Sequence, residues 1–440
     1  MKNVYLTNRL FALFGGLIIL MVCGFFIPIV FAIAQALTAL VLGLVILDYI
    51  LLFNRQVRVD AERKVPKVFS LGDQNNVQIT LESISNIALS IFVIDELPIQ
   101  LQIRDFGETA HLTPRESINI HYQVRPLERG AYLFGRIHLF LSTSINLIQR
   151  RLQVEQEQEV PVYPSILQMK QFELRAFNRS TQQKGIKKIR RIGHSYEFEQ
   201  IKNYVRGDDY RSINWKASSR RTSLMVNQYE DERAQQVYSI IDKSRNMHMP
   251  FAGLSLMDYA INTSLVISNI ALQKYDRAGL ITFSDKIGTT IKADSRSTQL
   301  NKILLALYKE QQRSYEANYE LLYYATQKLI TGRSLLVLYT NFESMYALDR
   351  ALPVLRRINK THLLVVVFFE NTEIKTFTQS KVQTLEEIYL QTVAQSYLAE
   401  KVQMAQKLRQ YGIQAILSDP EDLSINTINK YLELKSRGLI

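Results

Sequence analysis

Thiol and imidazole chemistry are nearly missing from this chain. It has one cysteine, Cys23, and that residue lies in an apolar run. A disulfide framework, a cysteine-rich zinc site and an obvious thiol nucleophile are excluded together. The histidines, His111, His121, His138, His194, His248 and His362, are scattered and form neither an H-E-x-x-H nor a His-x-His pair, so a catalytic zinc is not expected. A G-x-S-x-G elbow, a P-loop lysine motif and a clearly spaced carboxylate pair are missing too, which argues against a hydrolase. Asp285, in "ITFSDK", reads as a strand-end turn residue rather than a base. Charge itself is missing between Leu10 and Leu47, where not one Asp, Glu, Lys or Arg occurs.

What is present starts with that apolar run. Read as a single helix to Phe53 it would be about 66 Å long, twice what a bilayer core needs. Gly24 to Pro28 supplies the residues expected where a helix reverses, giving two spans, Leu10–Ile27 and Ile29–Phe53. The first span is too long and too poor in a small-residue cleavage pattern to read comfortably as a signal peptide, which stays the minor alternative. Lys2 and Arg9 precede the pair, Arg55, Arg58, Arg63, Lys64 and Lys67 follow it, and the tip has no cation. This asymmetry puts both ends, and the rest of the chain, on the cytoplasmic side of an inner membrane. Asp48, near the inner boundary, is expected to snorkel or to be paired rather than to line an ion path.

At 440 residues the chain exceeds one ordinary core. We divide it into a transmembrane helical hairpin (1–54), an antiparallel, immunoglobulin-like β-sandwich (55–164), a basic segment (165–233) and an α/β domain (234–440). Alternating stretches such as "NNVQITLESIS" and "LSIFVIDELPIQLQI" specify the sandwich strands. The basic segment has 15 Lys or Arg against 8 Asp or Glu and holds the single tryptophan, Trp215. Beyond Gln235, apolar strands at Val237–Ile241, Leu280–Phe283, Leu335–Tyr339, Leu363–Phe368 and Ile413–Leu417 alternate with helical stretches such as Leu254–Tyr275, Tyr319–Leu329 and Leu385–Gln410. That order predicts a doubly wound, mostly parallel sheet with its ligand crevice at the strands' carboxyl ends. Asp242 occupies such an end. The formal charge of +12 points to anionic neighbours, whether lipid headgroups, nucleic acid or an acidic protein face.

The strand "VYSIID" ends in Asp242-Lys243-Ser244-Arg245-Asn246, which resembles the metal-ion-dependent adhesion site of von Willebrand factor A domains. The preceding "YEFEQIKNYVRGDDYRSINWKASSRR", the "RGAYLFG" turn at Arg129–Gly135 and the closing "VYP" at Val162–Pro164 resemble domain-of-unknown-function family fifty-eight. The resemblance implies a bacterial membrane-anchored protein with a von Willebrand factor A-like domain, a non-catalytic adaptor for a MoxR-type AAA+ ATPase or its client. It also implies a ligand set for the strand end: the Asp and two hydroxyls of the first loop, a Thr from a second loop and an Asp after a later strand. Here the first loop keeps Asp242 and Ser244 as metal candidates but has Asn246 for a hydroxyl. Asn318 is the nearest match in the second loop, and Asn341 stands where the late Asp is expected, beside Thr340. One carboxylate with amides is a poor magnesium site, so no cofactor is expected beyond weak Mg2+ at Asp242 and Ser244. The degenerate crevice (Asp242, Ser244, Asn246, Asn318, Asn341) then reads as a neutral hydrogen-bonded notch for a partner's side chain.

The signature residues Arg206, Gly207, Asp208, Asp209, Arg211, Asn214, Trp215 and Lys216 have two readings: a fixed docking surface with Arg clamps and an aromatic anchor, or local caps and pairs around a buried tryptophan. A lone tryptophan is more often mostly buried, so Trp215 is expected to fill a core. The leading function is therefore a membrane-anchored adaptor that takes a cytoplasmic protein and no small-molecule substrate. The alternative is a basic nucleic-acid or anionic-lipid binder, with nucleic acid the less expected ligand.

Overall fold

The computed structural model describes residues 3–104, 106–165, 197–205, 208, 210–220, 223–230, 235–381 and 384–439, with backbone alone at 197–200 and 228–230. Among the signature residues, Arg206, Gly207 and Asp209 lie outside the described residues. The chain divides into two compact units, Met1–Ser165 and Ile166–Ile440.

The first unit opens with strand β1 (Val4–Leu6) and two apolar helices, α1 (Asn8–Gly24) and α2 (Pro28–Leu52). The Thr7 hydroxyl accepts from the Leu10 amide at the start of α1, and Pro28 opens α2, where its missing N–H costs nothing. Leu10 packs against Val41, so the helices run antiparallel. Their crossing requires glycine at position 24, because a Cβ there would stand 2.8 Å from the Phe31 backbone. Phe25, Phe26 and Ile29 at the turn are exposed. By length and composition α2 is long and apolar enough to cross a membrane, whereas α1 is shorter, at 17 residues.

Ten further strands follow among the described residues: β2 (Val59–Lys64), β3 (Phe69–Ser70), β4 (Asn75–Ser83), β5 (Leu89–Asp95), β6 (Glu108–Leu112), β7 (Ser117–Val124), β8 (Gly130–Phe134), β9 (Ile137–Ser142), β10 (Ile148–Val154) and β11 (Gln158–Tyr163). They form sheets ordered β1-β10-β9-β5-β6, β2-β4-β7 and β3-β11-β8, antiparallel except for the β3–β11 pair. The first two sheets share one core: Ile79 and Leu81 from β4 meet Ile91, Val93, Leu139 and Leu141 from β5 and β9. Alternation explains this, since the intervening Gln78, Thr80 and Glu82 turn away from that core.

The last turns of α2 belong to this core as well, because Leu52 is fully buried among its residues. Asp48 has no exposed surface; its carboxylate accepts from the Thr143 hydroxyl and, at 2.9 Å each, from the amides of Leu147 and Ile148. It is paired, and it welds the helix end to the β9–β10 connection. Arg63, counted above with the flanking cations, is instead buried between the sheets: it pairs with Asp95, which also accepts from the Tyr122 hydroxyl.

The second unit contains an antiparallel ribbon, β12 (Glu197–Asn203) with β13 (Met225–Glu230), and between them the one-turn helix α3 (Trp215–Ser218). Strand β14 (Gln236–Asp242) follows, then a two-stranded turn, β15 (Pro250–Phe251) with β16 (Leu254–Ser255). Helix α4 (Leu256–Gln273) leads to β17 (Arg277–Phe283), β18 (Ile287–Asp294), α5 (Gln299–Lys309) and α6 (Tyr319–Leu329). The chain continues through β19 (Leu335–Tyr339), α7 (Met345–Thr361), β20 (Leu363–Phe369), α8 (Thr372–Gln379), α9 (Leu385–Gln410), β21 (Gln414–Ser418) and α10 (Leu423–Ser436).

The six-stranded sheet has the order β18-β17-β14-β19-β20-β21, parallel except for the antiparallel edge strand β18. One face packs on α4, α5 and α10, the other on α6, α7 and α9, and both cores are almost wholly aliphatic and aromatic. Its first strand, β14, lies between strands that leave it in opposite directions. The topological switch point is therefore the carboxyl end of β14, where Asp242 stands.

Candidate functional site

The switch point is built from three loops. Asp242 closes β14 with no exposed surface; its Oδ1 accepts from the Ser244 amide at 2.8 Å and its Oδ2 from the Thr340 hydroxyl at 2.7 Å. Thr340 follows β19, and because it donates to Asp242, the Tyr319 hydroxyl donates to Thr340 in turn, over 2.9 Å. Burial pushes the Asp242 carboxyl above its ordinary range, partly offset by the Thr340 and Ser244 hydrogen bonds. The Tyr319 phenol is raised as well, by burial and then by the Asp242 charge.

The cations flanking Asp242 are engaged elsewhere. Lys243 reaches Glu310 at 2.6 Å, and Arg245 reaches Glu316 at 3.3 Å. Burial would raise Glu310, but hydrogen bonds from Lys243, Thr289 and Thr282 outweigh it and hold its carboxyl below the ordinary value.

Asn341 and Asn318 sit in the loops where ligands were expected, yet both side chains are occupied. Asn341 Oδ1 accepts from the ammonium of Lys401 at 3.0 Å, leaving its Nδ2 to donate to the Asn246 carbonyl at 3.3 Å. Lys401 comes from α9, is 1% exposed and also donates to the Phe342 carbonyl. Burial pushes its amine down to about 8, against the pull of Glu343 and Glu400. Asn318 caps α6 by accepting from the Leu321 amide at 3.2 Å. Ser244 Oγ lies beside Asp242 without a well-formed hydrogen bond, and Asn246 Oδ1 is buried with no partner. A magnesium ion would therefore find one carboxylate, the hydroxyls of Ser244 and Thr340, the latter already bonded to Asp242 and Tyr319, and one amide oxygen. The other two amides are turned to Lys401 and to a helix end. The set fits magnesium poorly, and no chemistry is derived through a metal.

The network is sealed. Asp242, Ser244 and Thr340 are fully buried and Asn341 is 3% exposed, so the accessible surface here is the layer above them. In that layer Glu316 bridges Arg245 and Arg350, the latter at 2.8 Å, while Tyr315 and Tyr346 stand 60% and 78% exposed. Sequence reasoning missed Tyr319, Lys401 and these tyrosines. Tyr319 adjoins Asn318 and could have been weighed, but Lys401 lies 60 residues from Asn341 and gave no local signal.

The described signature residues, Asp208, Arg211, Asn214, Trp215 and Lys216, lie in the connection between β12 and β13. Asp208 accepts from Lys202 at 2.8 Å and from the Val205 amide at 2.9 Å, which hold its carboxyl below the ordinary range. Asn214 caps α3 by accepting from the Ala217 amide at 2.9 Å. Arg211 lies over the Tyr210 ring, and Lys216 is exposed. Trp215 does not fill a core but is 69% exposed, because among the described residues the two-stranded ribbon with its one helical turn has no second layer to bury an indole.

Residues 200–386 match the family model described as "Protein of unknown function DUF58". The match takes in most of the ribbon and the switch-point loops but ends within α9, before Lys401. The "Uncharacterized protein YeaD" of Bacillus subtilis is 26% identical over 192 residues, 42% of this chain. The chain spans 47% of that relative's length. Among solved structures, the CARDB domain of the Pyrococcus furiosus PF1109 protein shares 15% identity over 25% of this chain and 96% of its own, with a TM-score of 0.18. Proximal thread matrix protein 1 from the mussel byssus shares 11% over 46% and 45%, with a TM-score of 0.27. Scores this low carry no argument about either unit.

Proposed function

We propose that this is a bacterial membrane-anchored, non-catalytic adaptor whose C-terminal unit, a von Willebrand factor A-like domain, binds a cytoplasmic protein of the MoxR-type AAA+ ATPase class or its client. The α1–α2 pair is the anchor, a transmembrane hairpin with both ends in the cytoplasm. Helix α2, Pro28–Leu52, is about 37 Å long against about 30 Å for a bilayer core, and its turns from Val41 on also pack against Leu147 and the sandwich core.

The observation that carries the docking half is the exposed layer at the switch point. Tyr315, Arg245 and Glu316 lie on the loops above the Asp242 network, and Tyr346 and Arg350 on the first turns of α7, joined by the Arg245–Glu316–Arg350 bridge. Tyrosine and arginine are what protein interfaces concentrate their energy in. The test is binding of purified MoxR-type ATPase to the full chain in detergent. An Arg245→Glu/Arg350→Glu variant should weaken binding roughly tenfold or more. Unchanged affinity in that variant would remove this surface from the interface. Salt-sensitive binding to nucleic acid that ignored both arginines would favour the basic-binder alternative.

A further inference from the structure

The ribbon end farthest along the chain from β14 presents an unusual surface. Val205, Tyr210, Trp215 and Leu224 are 62%, 68%, 69% and 45% exposed, four large apolar side chains within one connection. Their exposure is enforced by structure. Asp208 closes the turn after Val205, and Asn214 both caps α3 and, through its amide, donates to the Met225 carbonyl at 2.8 Å. Ser218 Oγ accepts from the Met225 amide at 2.8 Å, tying the helical turn to β13. The backbone is pinned at four points with these side chains outside.

Lys216 and Arg220 are exposed around this cluster and have no ion-pair partner among the described residues. The one described carboxylate of the connection, Asp208, is paired with Lys202. Exposed tryptophan and tyrosine beside cations that have no ion-pair partner among the described residues match the boundary of an anionic bilayer. There the rings sit at headgroup level, and Lys and Arg near the surface are drawn to the lipid phosphates. An acidic protein face could also pair with these cations, but the membrane anchor of the proposed function brings an anionic surface to the same chain.

We propose that the tip of the β12–β13 ribbon is a lipid-contacting foot: Trp215 and Tyr210 enter the headgroup layer while Lys216 and Arg220 bind lipid phosphates. The proposal rests on the membrane-anchoring half of the function given above. The foot is a second, reversible contact beyond the anchor, sensitive to the anionic lipid content of the membrane.

The chain's single tryptophan makes the experiment direct. The full chain is reconstituted into nanodiscs of phosphatidylcholine with or without phosphatidylglycerol, using lipids brominated close to the headgroup. In the anionic discs Trp215 emission should shift to the blue and fall by roughly half, as expected for an indole at the lipid boundary. Added salt, or Lys216→Glu/Arg220→Glu, should restore it, and the salt arm uses the unaltered protein. Unquenched emission from chains that remain in the disc overturns the foot while leaving the anchor intact. Quenching absent with lipid, together with shielding from acrylamide when the purified ATPase is added, also overturns it and gives the surface to protein. Failure of the chain to stay in discs after a carbonate wash removes anchor and foot together.

Discussion

Replacing Asp48 with alanine tests how the apolar helices are joined to the sandwich. The carboxylate is fully buried and takes three hydrogen bonds, from the Thr143 hydroxyl and from the Leu147 and Ile148 amides. Alanine would strand all three donors where water does not reach, at about 1–3 kcal/mol each before relaxation. It would also relieve a buried charge, whose desolvation cost offsets part of that loss. The expected net destabilisation is about 3–5 kcal/mol, and Asp48→Asn, which keeps one acceptor, should cost roughly half as much. The assay is hydrogen exchange by mass spectrometry on the full chain in detergent, followed through peptides covering 143–150, with thermal melting alongside. Faster exchange at Leu147 and Ile148, well ahead of the rest of β10, is the expected result. Unchanged protection of those two amides in Asp48→Ala would refute the reasoning, because it would mean that the carboxylate is not their partner.

Two pH experiments address the switch point. Burial raises the Asp242 carboxyl above 3.8, so the folded state holds that proton to higher pH than the unfolded chain does. Stability from this group is thus fully present below 3.8 and is lost as pH climbs through the folded-state value, about 1.4 kcal/mol for each tenfold change in proton affinity. Asp242→Asn should remove that decline in chemical denaturation curves; parallel curves for the two proteins would contradict it. Lys401 runs the other way: with its amine lowered from 10.5 to about 8, the buried charge costs about 3 kcal/mol below pH 8, and stability returns between 8 and 10.5. Lys401→Met should abolish that alkaline gain, whatever it does at neutral pH, where the carbonyl of Phe342 and Oδ1 of Asn341 lose their donor. A gain that persists in the methionine variant would assign it to another group.

Much of the α/β architecture could be read from periodicity. The expected strands at Val237, Leu280, Leu335, Leu363 and Ile413 each correspond to an observed one, with starts displaced by three residues or fewer. Helices at Tyr319–Leu329 and Leu385–Gln410 have the expected limits. These segments were legible because a strand buried on both faces is a continuous apolar run and a packed helix repeats every three to four residues. Strand β18 escaped notice because it is an edge strand: "IGTTIKAD" is half polar, and only its pairing with β17 identifies it. Trp215 was misplaced because a composition rule assigns tryptophan to a core without asking whether its segment has one. Asp48 stood out as an isolated charge, but its partners lie 95 to 100 residues downstream.

The site was half legible for a similar reason. A strand ending in Asp-Lys-Ser-Arg-Asn at the first position of a doubly wound order locates the switch point, and the structure places Asp242 there. Amide orientation cannot be read in this way. Whether Asn341 offers an oxygen or a nitrogen to the crevice is decided by Lys401, a residue of another helix that claims the oxygen. Once it does so, the Nδ2 turns to the Asn246 carbonyl and ties the first loop to the third. Tyr319 and Thr340 tie the second loop to Asp242 in the same manner. Three loops that could have been bridged by a shared ligand are bridged by the protein's own side chains. The consequence for recognition is mechanical. Apart from Ser244 Oγ and Asn246 Oδ1, the polar groups satisfy one another below the surface, so under the proposed function a partner gains little from reaching them. On that reading it meets instead the exposed Tyr315 and Tyr346 and the Arg245–Glu316–Arg350 bridge.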